Sequence, residues 1–248
     1  AFNGISPSFD MAVSRMSEVL AITGRVLPVT NADVKLEAEF ENGARVVGES
    51  KICDFKKSQD CRIAQVRLLP ERPAALPMAI AAIREADMIL LGPGSLYTSI
   101  IPNLLVEGIV QAIQDSDALK IYVCNVMTQD GETEGYTVSD HIRAIFQHSV
   151  QGLFDICLTN SSPIPKGVAA RYALEGAQPI CCDREACRKL GVEAVNRPVS
   201  TVENGFVRHS PGHLARELIL LHAERSVRIA GKRFDFTDDT YRLEIEKR

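Results

Sequence analysis

The sequence has no apolar stretch approaching the ~18 uninterrupted residues of a transmembrane helix, so no membrane span is expected. It has no basic excess: 28 Lys and Arg against 32 Asp and Glu leave a net charge of −4. That argues against a general nucleic-acid binder, whose affinity comes from a basic footprint. The first residues carry neither the basic nor the apolar block of a secretory leader. Paired CxxC motifs are absent, and the 7 cysteines are odd in number and scattered, which fits reduced thiols in a cytoplasm better than a disulfide framework. Cys181, Cys182 and Cys187 lie close together without a neighbouring histidine, so structural or solvated thiols and no metal are expected. No GxGxxG with a downstream acidic partner occurs, which disfavours a dinucleotide-binding oxidoreductase. Internal repeats and low-complexity segments are also missing.

What is present is an ordinary globular composition, 46% hydrophobic and 24% charged over 248 residues, enough for a substantial core. Phe9, Val13, Met16, Val19 and Leu20 recur at helical spacing, with Ser8 as cap and Gly24 closing the segment. Between Val26 and Leu69 the period shortens to two. Strands are expected at Val34–Phe40, Ala44–Glu49 and Ile63–Leu69, with a turn at Glu41-Asn42-Gly43 and a polar loop from Cys53 to Arg62. This is an antiparallel excursion, whether lid, oligomer surface or packing. After Pro70, helices and strands alternate. Helices are expected at Leu76–Ala86, Asn103–Gln114, Ser139–Gln147, Lys166–Glu175, Arg184–Leu190 and Pro211–Glu224. Strands are expected at Met88–Leu91, Lys120–Asn125, Asp155–Leu158, Pro179–Cys182 and Glu193–Pro198. Such alternation implies a three-layer α/β/α fold with a mostly parallel sheet, its ligand loops at the carboxyl ends of the strands. The expected organisation is one domain over residues 1–225, with the β excursion at about 26–69, and a charged tail or edge strand over 226–248.

The apolar run Met88–Leu91 reads as a strand buried on both faces, and it stops at Gly92-Pro93-Gly94-Ser95. Glycines allow close approach of a ligand to the main chain, and Ser95, Thr98 and Ser99 add hydroxyls to the free amides, so this turn can cradle a phosphate. A glycine-rich connection without a ligand is the plainer alternative. The loop Asn125–Thr137 offers Asn125, Thr128, Gln129 and Thr133, neutral donors and acceptors suited to a sugar or the edge of a base. Glu132, Glu134 and Asp140 can serve proton transfer or Mg²⁺, or simply favour the helix that follows, which Ser139 would cap. His141 and His148 are too far apart on one helix to share a metal. Further on, a helix carries Arg171 and Tyr172, and Arg208 stands just before the last helix, where a guanidinium can clamp a phosphate.

The strings GPGSLYTSIIPNLLV, CNVMTQDGETEGYTVSDH and FVRH together resemble the YvcK-like gluconeogenesis factors, relatives of the CofD-type 2-phospho-L-lactate transferases. The resemblance runs from about Phe9 to His222 and includes GRVLP at Gly24–Pro28. It implies a Rossmann-like fold and a cytoplasmic bacterial protein that binds UDP-N-acetylglucosamine, with roles in cell shape, cell-wall precursor supply and growth on gluconeogenic carbon. It also implies that Tyr172, on a KxVAxxYA-type helix, and Arg208, in FVRH, contact the nucleotide sugar. On this basis Gly92, Gly94, Ser95, Leu96, Thr98 and Ser99 are expected to hold the phosphates. Asn125, Thr128, Gln129, Tyr172 and Arg208 are expected to hold the sugar or base. The family's opening GGGTG turn and the acidic, glycine-rich segment after it are not found in this sequence. The charged end after Glu224 matches the family poorly.

Two functions follow from the resemblance. The first is a nucleotide-sugar-binding regulator that needs phosphate amides, neutral polar side chains and a guanidinium, but no catalytic base. The second is a transferase moving a phospholactyl group from a GDP-activated donor to a deazaflavin, which would need carboxylates at the phosphates and often Mg²⁺. Neither requires nucleic acid or a membrane span, and both leave homo-oligomerisation open.

Overall fold

The computed structural model describes residues 8–19 and 23–229. The chain opens with α1 (Phe9–Val19), whose Ser8 hydroxyl donates to the Asp10 carboxylate at the first turn. Leu20, the expected end of that helix, lies outside the described residues. β1 (Lys35–Phe40) follows, then β2 (Arg45–Val47), α2 (Glu49–Gln59) and β3 (Ile63–Leu69). The three strands form an antiparallel sheet ordered β2-β1-β3, as the period-two pattern requires.

The polar stretch expected to be a loop over Cys53–Arg62 is instead mostly helical. In α2, Ile52, Phe55 and Lys56 recur at helical spacing and turn inward. Ile52 and Lys56 are buried, and the Phe55 ring lies 4.6 Å from that of Phe40. Lysine at an inward position hid the apolar stripe: the Lys56 stem packs and its ammonium meets Glu134 at 3.0 Å.

α3 (Pro77–Arg84) leads to β4 (Met88–Leu91), a π-helical turn at Leu96–Ile100, α4 (Ile101–Leu104) and α5 (Ile109–Asp115). The single helix expected at Asn103–Gln114 is thus two short ones. Gly108, at φ +93, breaks the run in a conformation other residues avoid. Then come β5 (Leu119–Val123), α6 (Val138–Gln147), β6 (Ile156–Asn160), α7 (Lys166–Leu174), α8 (Arg184–Lys189) and β7 (Glu193–Arg197). β4, β5, β6 and β7 are neighbours in that order and all parallel. One face of this sheet, through Tyr122, Cys124 and Cys157, joins the main core. The other, through Ile121, Val123, Ile156 and Leu158, packs on Leu218 and Leu221 of the long final helix. β4 lies at the sheet edge of the described residues, and its Leu90 is 42% exposed, so the expectation of burial on both faces fails there.

Pro179–Cys182 is not a strand of the parallel sheet. It runs antiparallel beside the loop after β5, with Met127 bridging Pro179, Thr128 N donating to Gln178 O at 2.8 Å and Ile180 N donating to Val126 O at 3.0 Å. Pro179 has no N–H to give to a central ladder. After β7 comes a hairpin not among the expected elements, β8 (Ser200–Glu203) and β9 (Phe206–His209), turned by Asn204-Gly205 with φ +51 and +76. Finally α9 (Pro211–Ile229) takes in Ser226, which the charged-tail expectation had placed beyond it. Residues 230–248, the remainder of that expected tail, lie outside the described residues.

Candidate functional site

The turn after β4 is held from below. Gly92 has φ +84, and a Cβ there would lie 3.0 Å from Ile100 Cδ1 and 3.1 Å from the Val123 carbonyl oxygen, so only glycine fits. Ser99 N and Ile100 N both donate to Ser95 O, at 3.0 and 2.9 Å, which starts the π-helical turn. Glu132 completes the support: fully buried, it accepts from Tyr97 N at 3.2 Å and from the Thr98 hydroxyl at 2.6 Å. Burial pushes its carboxyl above the ordinary glutamate range, partly offset by these hydrogen bonds.

The next loop is tied to this turn. Asn125 Nδ2 donates to Gly94 O at 2.8 Å, and the Ser95 hydroxyl donates to Gln129 Oε1 at 2.8 Å. Gln129 also begins a tight turn, its carbonyl accepting from Glu132 N and Thr133 N at 3.1 and 2.9 Å. From the far side, α7 brings Tyr172, whose hydroxyl accepts from Val207 N at 3.0 Å and so fixes the β8–β9 hairpin against it. Arg208 stands exposed on β9, not at a helix entrance, its guanidinium 5.6 Å from the Phe206 ring centroid. Among the described residues it makes no salt bridge, so its charge is available to a ligand.

These parts surround one cleft of about 700 Å³. Gly94, Ser95, Asn125, Thr128, Gln129, Tyr172 and Arg208 all line it. The remaining expected phosphate residues do not. Gly92 is consumed by the turn, Leu96 is in the core, Thr98 is spent on Glu132, and Ser99 is exposed elsewhere on the turn. Thr128 lines the wall, yet its hydroxyl already accepts from Gln178 N at 2.9 Å and it is 3% exposed. It holds two segments together, and its O–H is what remains for a ligand.

The candidate acids are likewise occupied. Glu134 pairs with Lys56 and accepts from Gly131 N. Asp140 closes a capping box with Thr137, which caps α6 in place of Ser139, and also pairs with Arg143. Those hydrogen bonds hold Asp140 below the ordinary aspartate range against its burial, the largest single influence. His141 is fully buried and His148 half-buried, and burial lowers both; the His148 Nε2 accepts from Val66 N at 3.0 Å, so both serve the core.

Sequence reasoning missed Lys57, Asp130, Glu175 and His209, which complete the cleft. Lys57 comes from α2 and pairs with Asp130 at 2.8 Å. Gly131, at φ +87, lets α2 press onto the loop: a Cβ there would meet the Lys57 stem at 3.0 Å and the Cys53 carbonyl at 3.1 Å. The antiparallel excursion therefore delivers a lysine to the rim. His209 has a buried Nε2 without a partner, and burial lowers its pKa against a hydrogen bond to the Cys124 backbone. Among the described residues no group of three or more His, Cys, Asp or Glu side chains is placed to hold a metal ion. Nor is any helix there long and apolar enough to cross a membrane.

The cleft sits on a chain with clear relatives. The family model described as 2-phospho-L-lactate transferase CofD matches residues 1–200. The gluconeogenesis factor of Bacillus subtilis (strain 168) is 44% identical over 224 residues, covering 90% of this chain and 69% of that protein. The gluconeogenesis factor of Halalkalibacterium halodurans is 42% identical over 215 residues, covering 87% of this chain and 66% of that protein. A crystal structure of a Bacillus halodurans protein superposes with a TM-score of 0.83 at 41% identity, covering 88% of this chain and 69% of that one. The chain thus spans about two thirds of the length of these relatives. With a family model matched over most of its length and gluconeogenesis factors more than 40% identical to it, the chain belongs to the CofD family, alongside the gluconeogenesis factors.

Proposed function

We propose that this chain is the ligand-binding body of a cytoplasmic regulatory protein of the gluconeogenesis-factor type, and that its cleft holds a nucleotide sugar, UDP-N-acetylglucosamine in particular. One observation carries the proposal: Gly94, Ser95, Gln129, Tyr172 and Arg208, drawn from four separate segments, line the same cleft. A diphosphate lies against the main chain at Gly94 and Ser95, where little side chain intervenes, and Arg208 supplies a guanidinium that makes no salt bridge among the described residues. Lys57 stands as a second cation, exchanging Asp130 for the ligand. Hydroxyls of the sugar meet Asp130, Glu175 and Gln129, all hydrogen-bond acceptors. Bound ligand would then report cell-wall precursor supply during growth on gluconeogenic carbon, in keeping with the family's link to cell shape.

The family model's transferase description raises phospholactyl transfer as the competing activity. Its Mg²⁺ would need carboxylates at the phosphates, and Glu132, Glu134 and Asp140 are engaged elsewhere. The carboxylates that do line the cleft are Asp130, paired with Lys57 at 2.8 Å, and Glu175, on the α7 side away from the Gly94 turn, so the binding role is favoured. Calorimetric titration with UDP-N-acetylglucosamine, GDP and NAD tests the choice. The uridine sugar is expected to bind, and Tyr172→Ala and Arg208→Ala each to weaken it by about 1–3 kcal/mol, the usual loss for a stacked or charged contact. Unchanged affinity in both variants would remove the cleft from consideration. Phospholactyl transfer to a deazaflavin would promote the enzyme.

A further inference from the structure

We infer that a second, smaller cavity beside the cleft is the seat of the nucleotide's base. It lies at the carboxyl ends of β5 and β6, is about 260 Å³ in volume, and shares Asn125 and Val126 with the cleft. The inference rests on the nucleotide-sugar proposal and adds to it which end of the ligand goes where.

The cavity is uncharged but not apolar. None of its lining residues carries a formal charge, and Val126, Val138, Ile164, Ala169 and Ile180 alternate with the polar Asn125, Thr159, Asn160 and Ser162. A phosphate there would meet no cation to offset its lost hydration, whereas an uncharged planar ring finds apolar wall for its faces and polar groups for its edge. Its volume is below the ~300–1,000 Å³ of pockets that enclose whole ligands, so it suits one ring system and not a complete nucleotide.

The polar rim is preset. Asn160 Nδ2 donates to Ser162 O at 3.0 Å and Asn160 Oδ1 accepts from Ser162 N at 3.1 Å, which fixes that loop before any ligand arrives. Asn125 spends one of its two amide hydrogens on Gly94 O at 2.8 Å, and among the described residues nothing donates to its Oδ1. That oxygen is left to accept from an imide or amino N–H of the base. The same side chain touches the phosphate turn on one side and borders the cavity on the other. The two compartments are therefore one side chain apart, a separation the pentose of a nucleotide bridges. With the base in the cavity and the phosphates at Gly94, the sugar extends towards Asp130 and Glu175.

Ala169→Leu, which fills the cavity from α7, is the test. No residue of α7 is fully buried, so the added bulk does not reach the core. Wild type, Ala169→Leu and a size-matched Ala169→Ser control are titrated with UDP-N-acetylglucosamine and with inorganic pyrophosphate. Leucine is expected to weaken the uridine sugar by about tenfold, a typical effect of overpacking, while pyrophosphate binds all three proteins alike. If the leucine variant melts early, Ser162→Val from another wall replaces it. Wild-type affinity for the uridine sugar in the crowded variant would overturn the base assignment and leave the nucleotide-sugar proposal standing, as would loss of pyrophosphate together with the sugar. Wild-type protein that binds no uridine nucleotide would overturn both.

Discussion

Glu132 supports the turn after β4 from beneath, and its replacement should separate the charge of that side chain from its hydrogen bonds. Two donors converge on the carboxylate, Tyr97 N at 3.2 Å and the Thr98 hydroxyl at 2.6 Å, and Glu132 is 0% exposed. Removing it by Glu132→Ala leaves the Tyr97 N–H buried without an acceptor, since Tyr97 is only 2% exposed, and opens a cavity. The unmet donor costs about 1–3 kcal/mol and the cavity adds to it, for a loss of about 2–4 kcal/mol in all. Glu132→Gln behaves differently. Its carbonyl can accept from Tyr97 N while its amide donates to a rotated Thr98 hydroxyl, so both bonds survive and no buried charge remains. Its stability at neutral pH is expected to lie within about 1 kcal/mol of wild type.

The pH dependence sharpens the test. Burial raises the folded-state pKa of Glu132 above its unfolded value, so between those two values the native state holds more protons than the unfolded chain. Stability contributed by this group is therefore present below the unfolded pKa and lost as pH rises through the raised one. Urea denaturation across the mildly acidic range should show that decline in wild type, and Glu132→Gln should abolish its share. A glutamine variant as unstable as the alanine one at neutral pH would refute the reasoning, because the charge itself would then be what the turn requires.

Gly92→Ala should cost about 2–3 kcal/mol, from a left-handed backbone at φ +84 and contacts of 3.0 and 3.1 Å, read as a lower melting temperature. Gly94→Ala should change stability by less than about 0.5 kcal/mol, because its Cβ would meet Ser99 Cβ at an ordinary 3.4 Å. Lys56→Met should cost about 1–3 kcal/mol in urea denaturation, because it strands the buried Glu134 Oε2 without its cation. His209 should titrate below the ordinary histidine range by NMR, and its midpoint should rise when UDP-N-acetylglucosamine brings negative charge into the cleft. Because its folded pKa is depressed, burying His209 costs stability as pH falls through the histidine range, and an unmoved midpoint on ligand addition would place the phosphates elsewhere.

The parallel half of the fold was legible because its strands are short apolar runs bounded by turn residues. Met88–Leu91 and Glu193–Arg197 formed nearly where their composition places them. What misled was local chemistry overruled by distant partners. The lysine-rich α2 is a helix because Phe40 and Glu134, far along the chain, receive Phe55 and Lys56. Pro179–Cys182 has the composition of a strand, but its pairing is with the loop after β5, which no local pattern encodes. Asn204-Gly205 was a readable hairpin signal, flanked by Val202 and Val207, and reading it would have put Arg208 on a strand.

The site divides along the same line. Gly94, Ser95, Asn125 and Gln129 were visible because each lies in a loop that follows a strand of the parallel sheet, where ligands of such folds gather. Lys57 was not, since it belongs to the antiparallel excursion, whose place beside the parallel sheet depends on α2 packing against Gly131. Thr98 and Thr128 were assigned to ligand, yet the Thr98 hydroxyl donates to Glu132 and the Thr128 hydroxyl accepts from Gln178 N, so each already shapes the loop it belongs to. A hydroxyl beside a glycine-rich turn is as useful for shaping the turn as for touching what lies in it. Only the hydrogen-bond partners tell the two apart, and those partners lie 34 and 50 residues away in the chain. Among the described residues that line the cleft, Arg208, Glu175, the Oδ1 end of Asn125 and the Nε2 of His209 are left without such partners, and these are the groups free to meet a ligand.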